Sequence, residues 1–180
     1  MNNSIKLGFK LLTITAVVAL GLGLANNLTE PVIAERKAKE LAESLEVVYP
    51  ADDYEQIDVD APESIKNVYK AIDGSGEGYV VQIDAPGGYG GSIEFLIGVG
   101  PDNNITGFAP LTHSESAGFG ADIVEDYFKE GVAGVSLDNE VGSSDSGSES
   151  EIVAITGATI STDTIVRGIN DAREVLANLR

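Results

Sequence analysis

Two threonines near the C-terminus, Thr156 and Thr159, flank a Gly-Ala pair in the stretch "EIVAITGATISTDTIVRGINDA". A segment with helical periodicity follows directly. The first backbone N–H groups of a helix lack intrahelical acceptors and carry partial positive charge, so they suit a phosphate. Gly157 permits close approach of the backbone to a ligand. One interpretation of the pattern is therefore a phosphate that is held by this turn or bonded to it.

Helix capping is the alternative use of the same stretch. Ser161 or Thr162 is a natural N-cap, and Asp163 would sit well in the first turn of a helix that starts just after Thr159. Turns of Gly, Ser and Thr before helices are common, and most of them only cap. The turn by itself leaves both interpretations open.

A second group of residues lies in "LTHSESAGFGADIV". His113 and Glu115 are two positions apart and share one side of an extended chain. Phe119 stands between Gly118 and Gly120, so its ring could lie against a flat ligand ring while the neighbouring amides reach polar ring edges. The simpler interpretation is a strand that ends in a loop with an exposed histidine.

Composition excludes several kinds of chemistry. The chain has no cysteine and one histidine, which excludes disulfides, iron–sulfur clusters, thiolate zinc sites and a multi-histidine metal centre within one chain. No metal site and no catalytic residue are predicted. A hydrolase that uses Ser114 and His113 ranks last, because neighbours in a strand point to opposite faces. Redox chemistry would need an organic cofactor.

Charge argues against nucleic acid as a partner. The 180 residues include 29 acidic and 11 basic side chains, a formal net charge of −18. Such a surface repels nucleic acid and anionic lipid headgroups. The length suits one domain of ordinary size with a proper core.

The N-terminus carries an apolar segment without charges between Lys10 and Glu30. As a helix, its 19 residues would span about 28 Å, close to the thickness of a bilayer core. A cleaved signal peptide that ends before Asn26 is the competing interpretation. We favour an uncleaved anchor over residues 1–29, because the amphipathic segment 32–48 looks helical and could continue out of the membrane.

The remainder, residues 30–180, predicts an α+β domain. Strand-like runs are separated by turn residues in the order "SIKNVYKAID", "GSGEG", "YVVQIDA", "PGGYGG", "SIEFLIGVG", "PDNN" and "ITGFAPLTHSE", which favours an antiparallel β-meander. A short helix over 121–132, a solvated and flexible acidic loop over 142–151, a strand at 151–155 and a final helix follow. The final helix has one apolar stripe: Ile165, Ile169, Ala172, Leu176 and Leu179.

The anchor, "THSESAGFG" and "ITGATIST", in this order and spacing, resemble a known family. They are similar to the FMN-binding subunits of ion-translocating electron-transport complexes, above all the G subunits of Rnf complexes. The C subunits of sodium-pumping NADH:quinone reductases are near relatives. The resemblance runs from the anchor to the final helix, and its most specific part is the [S/T]-G-A-T motif at 156–159.

The resemblance implies a covalent flavin. In the family, a flavin transferase uses FAD to join FMN through its phosphate to the hydroxyl of the last threonine of the motif, which here is Thr159. One FMN per chain is expected. The resemblance also implies that the flavin site includes the following residues: Thr156, Gly157, Ala158, Ile160, His113, Glu115, Gly118, Phe119 and Gly120.

Three features depart from the family pattern. Val153 stands where the family usually has an aspartate, and Ser116-Ala117 replaces the usual Thr-Pro after the glutamate. The acidic loop at 142–151 looks like a local elaboration.

The expected function is that of an electron-carrier subunit in a complex that couples electron transfer of the ferredoxin/NAD type to ion translocation. It would not be an independent catalyst. Its partners would be the other membrane subunits and the flavin transferase, and its soluble domain would lie on the extracytoplasmic face of the cytoplasmic membrane. The alternative is a membrane-anchored, non-redox binding module in which the TGAT turn only caps the helix.

Overall fold

The computed structural model describes residues 3–73 and 76–179. The chain divides into two units, one up to Ala42 and a second from Glu43 onward. The predicted "GSGEG" turn lies partly outside the described residues, because it includes 74 and 75.

The first unit is part of helix α1, which runs without interruption over Asn3–Val48. The large apolar side chains from Ile5 to Leu28 are exposed, so no part of the described protein covers them. By length and composition this helix can cross a membrane. The unbroken helix agrees with the expectation that the amphipathic segment continues the apolar one.

The second unit contains a five-stranded antiparallel meander. Its strands are β1 (Asp53–Ile57), β2 (Ile65–Asp73), β3 (Gly76–Gly88), β4 (Gly91–Val99) and β5 (Ile105–Thr112), and they lie side by side in chain order. This confirms the predicted α+β class with a β-meander. Strand β1 was not predicted, because "DYEQI" is a polar edge strand with little alternation of burial.

Short elements and one long helix follow the sheet. They are a 3-10 helix (Gly120–Val124), α2 (Asp126–Val132), β6 (Gly142–Ser144), β7 (Glu151–Val153) and α3 (Thr159–Leu179). The predicted single helix over 121–132 is wrong, because Glu125 has an extended backbone and separates two shorter helices.

The acidic segment also differs from its prediction as a loop. Gly142–Ser144 pairs in parallel with Glu151–Val153. The Ser144 side chain donates to Glu151 Oε2 at 3.1 Å, and the Ser143 hydroxyl donates to Asp163 at 3.1 Å on α3. These contacts give the two ends of the segment regular structure. The flexibility of the residues between them stays a prediction.

Helix α3 covers one face of the sheet and closes the core. The predicted apolar stripe is confirmed: its first four members are buried, and Leu179 packs against the same cluster. Gly168 allows close approach to the sheet, since a Cβ there would lie 2.8 Å from Ile83 Cγ2 and 3.1 Å from Phe95 Cζ. The side chain of Asn170 bonds the backbone of Val141 twice, at 2.8 and 2.9 Å. The helix therefore has a fixed position, and so does its first turn.

Candidate functional site

A cleft of about 530 Å³ opens at the start of α3. Three parts of the second unit line it: Tyr89 of the β3–β4 hairpin, the segment after β5, and the first turn of α3 with the turn before it. Its volume lies within the range of small-molecule and cofactor sites. The lining residues are Tyr89, Glu115, Ser116, Phe119, Gly120, Gly157, Ala158, Thr159, Ile160 and Ser161.

The turn before α3 spans residues 155–158 and is closed by the Ala158 N–H, which donates to the Ile155 carbonyl at 2.9 Å. Gly157 occupies its third position with φ +78°, a conformation that glycine adopts without strain. The ring of Phe119 packs against this glycine, because a Cβ on Gly157 would lie 3.3 Å from Phe119 Cδ1.

Helix α3 begins at Thr159, whose side chain is exposed in the cleft. The first helical bond runs from the Thr162 N–H to the Ala158 carbonyl at 3.1 Å. The N–H groups of Thr159, Ile160 and Ser161 precede it, and none of them has a backbone acceptor among the described residues. A hydroxyl and free amides thus meet at one corner of the cleft, as a phosphate requires.

The predicted capping role of Ser161 and Thr162 is wrong. The Thr162 hydroxyl is buried inside the helix, where it accepts from the Ile155 N–H at 3.2 Å and donates to the Ala158 carbonyl at 3.3 Å. Ser161 donates its hydroxyl proton to Glu115 Oε2. Asp163 lies beyond the first turn. The Thr162 hydroxyl therefore stabilises the turn and the start of the helix, and the Ser161 hydroxyl joins the helix to the segment of Glu115.

Glu115 is buried in the wall of the cleft, with 8% of its surface exposed. Its Oε1 accepts from the Gly90 N–H at 2.9 Å, and its Oε2 accepts from Ser161. It therefore connects the hairpin, its own segment and α3.

The large aromatic and aliphatic side chains of the cleft lining are exposed. Tyr89 is 73% exposed, Phe119 55% and Ile160 53%. Large apolar surfaces held open to solvent around a cleft are typical of ligand-binding sites. Phe119 also has an unusual backbone conformation, φ −140° and ψ −110°, between Gly118 at φ +76° and the buried Gly120.

The cleft brings together most of the residues that the sequence pattern grouped. Gly157, Ala158, Thr159 and Ile160 line it, and so do three residues of the second constellation, Glu115, Phe119 and Gly120. Thr156, His113 and Gly118 are not among the lining residues. The imidazole Nδ1 of His113 accepts from the Glu115 N–H at 3.3 Å, so it contacts the backbone of the site.

Sequence analysis missed three lining residues: Tyr89, Ser116 and Ser161. The only signal for Tyr89 was its position between glycines in "PGGYGG", the same pattern that drew attention to Phe119. Ser161 was assigned to the helix cap instead. Within residues 3–73 and 76–179, no cluster of three or more His, Asp or Glu side chains is suited to a metal ion.

The cleft has the features that an FMN group requires. Its volume is sufficient, its exposed aromatic rings offer flat apolar surfaces, and the amides of the first turn of α3, which lack backbone acceptors among the described residues, include that of Thr159 itself.

Comparison with known proteins agrees with this geometry. Residues 88–174 match the family model described as "FMN-binding domain". The chain is 32% identical to the G subunit of the Na(+)-translocating ferredoxin:NAD(+) oxidoreductase complex of Acetobacterium woodii, over 97% of this chain and 92% of that protein. It is 30% identical to the G subunit of the proton-translocating ferredoxin:NAD(+) oxidoreductase complex of Clostridium ljungdahlii, over 96% and 91%.

A solved structure shares the fold. The C subunit of the Na(+)-translocating NADH-quinone reductase from Parabacteroides distasonis superimposes with a TM-score of 0.53 at 21% identity. The match covers 61% of this chain and 60% of that one.

Proposed function

This chain belongs to the family of FMN-binding G subunits of ion-translocating oxidoreductase complexes, and from that premise we propose that it carries electrons on an FMN bonded to Thr159. The flavin supplies reversible uptake and release of electrons. The protein supplies attachment, orientation and the electrostatic surroundings. It acts as one subunit of a membrane complex and not as an independent catalyst.

The position of Thr159 carries the proposal. Its side chain is exposed in the cleft at the first residue of α3, beside amides without backbone acceptors among the described residues. A phosphodiester there would be stabilised by these amides and by the helix dipole. Covalent attachment also holds an anionic cofactor on a chain with a net charge of −18, which would repel it from a distance.

The attachment reaction is a phosphoryl-group transfer from FAD, catalysed by a flavin transferase. The Thr159 hydroxyl oxygen forms a bond to the phosphorus of the FMN half, and the bond from that phosphorus to the bridging oxygen breaks. AMP leaves with this oxygen, and the hydroxyl proton passes to a base of the transferase. The open corner of the cleft leaves Thr159 accessible to the enzyme.

The remaining lining residues would hold the flavin. Phe119, Tyr89 and Ile160 offer apolar surface to the ring system. Gly120 leaves room for Glu115 and Ser161, and Gly157 leaves room for the Phe119 ring, so both glycines shape the wall of the cleft. His113, Thr156 and Gly118 would act from outside the lining, by fixing the segments that carry it. The alternative of a non-redox binding module disagrees with membership of this flavin-binding family, and the Thr159→Ala experiment below tests whether TGAT serves only as a helix cap.

The molecule is proposed to be a single-pass membrane protein. Residues 1–29 would form the anchor, and 30–180 the FMN-binding domain on the extracytoplasmic face of the cytoplasmic membrane. The exposed apolar side chains of α1 and the membrane complexes of its relatives support this placement. Its partners would be the other subunits of such a complex.

In-gel fluorescence tests the flavin attachment. The full chain is expressed with an active flavin transferase, denatured, separated on a gel and viewed under ultraviolet light. We expect a fluorescent band that is lost in Thr159→Ala. Thr112→Ala is the matched control, because it removes an exposed threonine outside the cleft lining and should keep the band. No band from the wild-type chain would refute the proposal.

A further inference from the structure

Glu115 is the ionisable residue most deeply set in the cleft wall. It lies 46 positions before Ser161 and 25 positions after Gly90, and its carboxylate contacts both. Among the described residues that line the cleft, the other ionisable side chain is Tyr89, and none is Lys, Arg or His. The cleft therefore contains a fixed negative charge without a cation beside it.

Both carboxylate oxygens of Glu115 are held by hydrogen bonds. One oxygen accepts from a backbone N–H and the other from a hydroxyl. These two donors fix the orientation of the carboxylate in the wall of the cleft.

Two glycines make room for the Glu115 carboxylate, and a third makes room for the backbone beside it. A Cβ on Gly88 would lie 2.6 Å from Glu115 Oε1. A Cβ on Gly120 would collide with Oε2 and with the Ser161 hydroxyl, and one on Gly90 would collide with the Ser114 carbonyl. Real Cβ atoms do not approach so closely. A larger residue at any of these three positions would therefore displace Glu115 or its neighbours.

The nearest basic side chain on α3 is engaged elsewhere. Arg167 donates to the Thr164 hydroxyl at 2.9 Å and to the Pro86 carbonyl at 3.4 Å, outside the cleft lining. Within residues 86–93, 112–124 and 159–169, the other titratable groups are Tyr89, His113, Asp122, Asp163 and Arg167. Negative charge dominates within the cleft itself.

We propose that the Glu115 carboxylate lowers the reduction potential of the cleft's flavin, by opposing negative charge on its reduced form. The proposal rests on the proposed function. Reduction of FMN takes up two electrons, which a neighbouring electron carrier would supply, and either one proton, giving an anion, or two, giving a neutral product. A nearby carboxylate penalises the anion and favours uptake of the second proton from solvent.

The size of the effect follows from the size of the cleft. A volume of about 530 Å³ corresponds to about 8 Å in each direction, taking the cube root. One unit charge at about 8 to 10 Å, with an effective dielectric constant of about 20, changes an equilibrium by about tenfold or more. For a two-electron couple, a tenfold change corresponds to about 30 mV.

Redox titration of flavin-loaded full-length chains tests the proposal. Glu115→Gln removes the charge and keeps both contacts, because its amide oxygen can accept from Gly90 and its NH₂ can donate to the Ser161 hydroxyl. At alkaline pH, where the reduced flavin is an anion in both proteins, we expect its midpoint potential to be higher than that of the wild type by an amount equivalent to about tenfold. An unchanged or lower potential would overturn the proposal.

Two further variants distinguish the effect of the Glu115 charge on the midpoint potential from the effect of the position of its side chain. Ser161→Ala removes one hydrogen bond and keeps the charge, so its potential should stay at or below that of the wild type. An increase equal to that of Glu115→Gln would show that positioning matters and charge does not. Glu130→Gln removes an exposed charge of the same size on α2 and should leave the potential unchanged.

A measurement on the wild type alone keeps the test decisive if Glu115→Gln does not take up flavin. The dependence of midpoint potential on pH counts the protons bound on reduction. On reduction the count falls from two protons to one at the pH where the reduced flavin becomes an anion, and a carboxylate that opposes this anion raises that pH. We expect the change at a higher pH than for free FMN titrated in parallel, and a change at the same or a lower pH would contradict the proposal. A wild-type chain that carries no flavin would refute the proposed function instead.

Discussion

At the scale of single residues, the site depends on backbone conformations that few side chains tolerate. Gly157 has φ +78° in the turn that leads to Thr159, and Phe119 packs directly against it. The motif was visible in the sequence, because hydroxyls and a glycine stood before a helical pattern. The bridge from Glu115 to Ser161 was not visible, since local patterns carry no information on contacts between distant positions.

Gly157→Ala should destabilise the chain and reduce flavin attachment. A left-handed backbone costs a non-glycine residue about 1–2 kcal/mol, and the new methyl would press on the Phe119 ring. The expected result is a lower thermal midpoint and a weaker fluorescent band. Gly131→Ala is the control, because a Cβ there meets nothing within 4 Å. Equal midpoints for the two variants would contradict the interpretation of the turn.

At the scale of elements, the parts with strong local patterns were predictable. Strands β2 to β5 have apolar runs between turn residues, and α3 has its stripe from Ile165 to Leu179. Strand β1 was missed because an edge strand needs little apolar alternation. The strand predicted at 151–155 corresponds to β7, whereas β6 and its parallel pairing with β7 were missed, because Gly142–Ser144 has no such pattern of its own.

Gly168→Ala tests the packing of α3 on the sheet. Overpacking costs about 1–3 kcal/mol, which should exceed the gain of about 1 kcal/mol from replacing a helical glycine. The thermal midpoint of the full-length protein should therefore fall. Gly131 also lies in a helix, but a Cβ there would meet nothing within 4 Å. Gly131→Ala should therefore show only the stabilisation that comes from replacing a helical glycine. A stabilised Gly168→Ala would mean that α3 lies farther from Ile83 than the structure places it.

At the scale of the whole molecule, α1 and the domain have contrasting surfaces. The apolar side chains of α1 are exposed from Ile5 to Leu28, whereas the chain as a whole has a net charge of −18. This contrast was evident in the sequence, since an uncharged stretch of 19 residues needs no tertiary information. The uncharged stretch does not determine on which side of the membrane the domain lies. The extracytoplasmic placement therefore stays a prediction.

Protease treatment of intact spheroplasts tests the placement. If the domain lies on the outer face, added protease should degrade it while a cytoplasmic marker protein stays intact. A domain that is protected until the membrane is broken would place it on the inner face.

The most direct test of the central claim is the mass of the proteolytic peptide that contains Thr159, from chains produced with an active flavin transferase. Attachment through a phosphodiester predicts a peptide heavier by one FMN minus one water, with fragmentation that assigns the added mass to Thr159. A peptide of unmodified mass, or an adduct on Thr156 or Ser161, would contradict the claim.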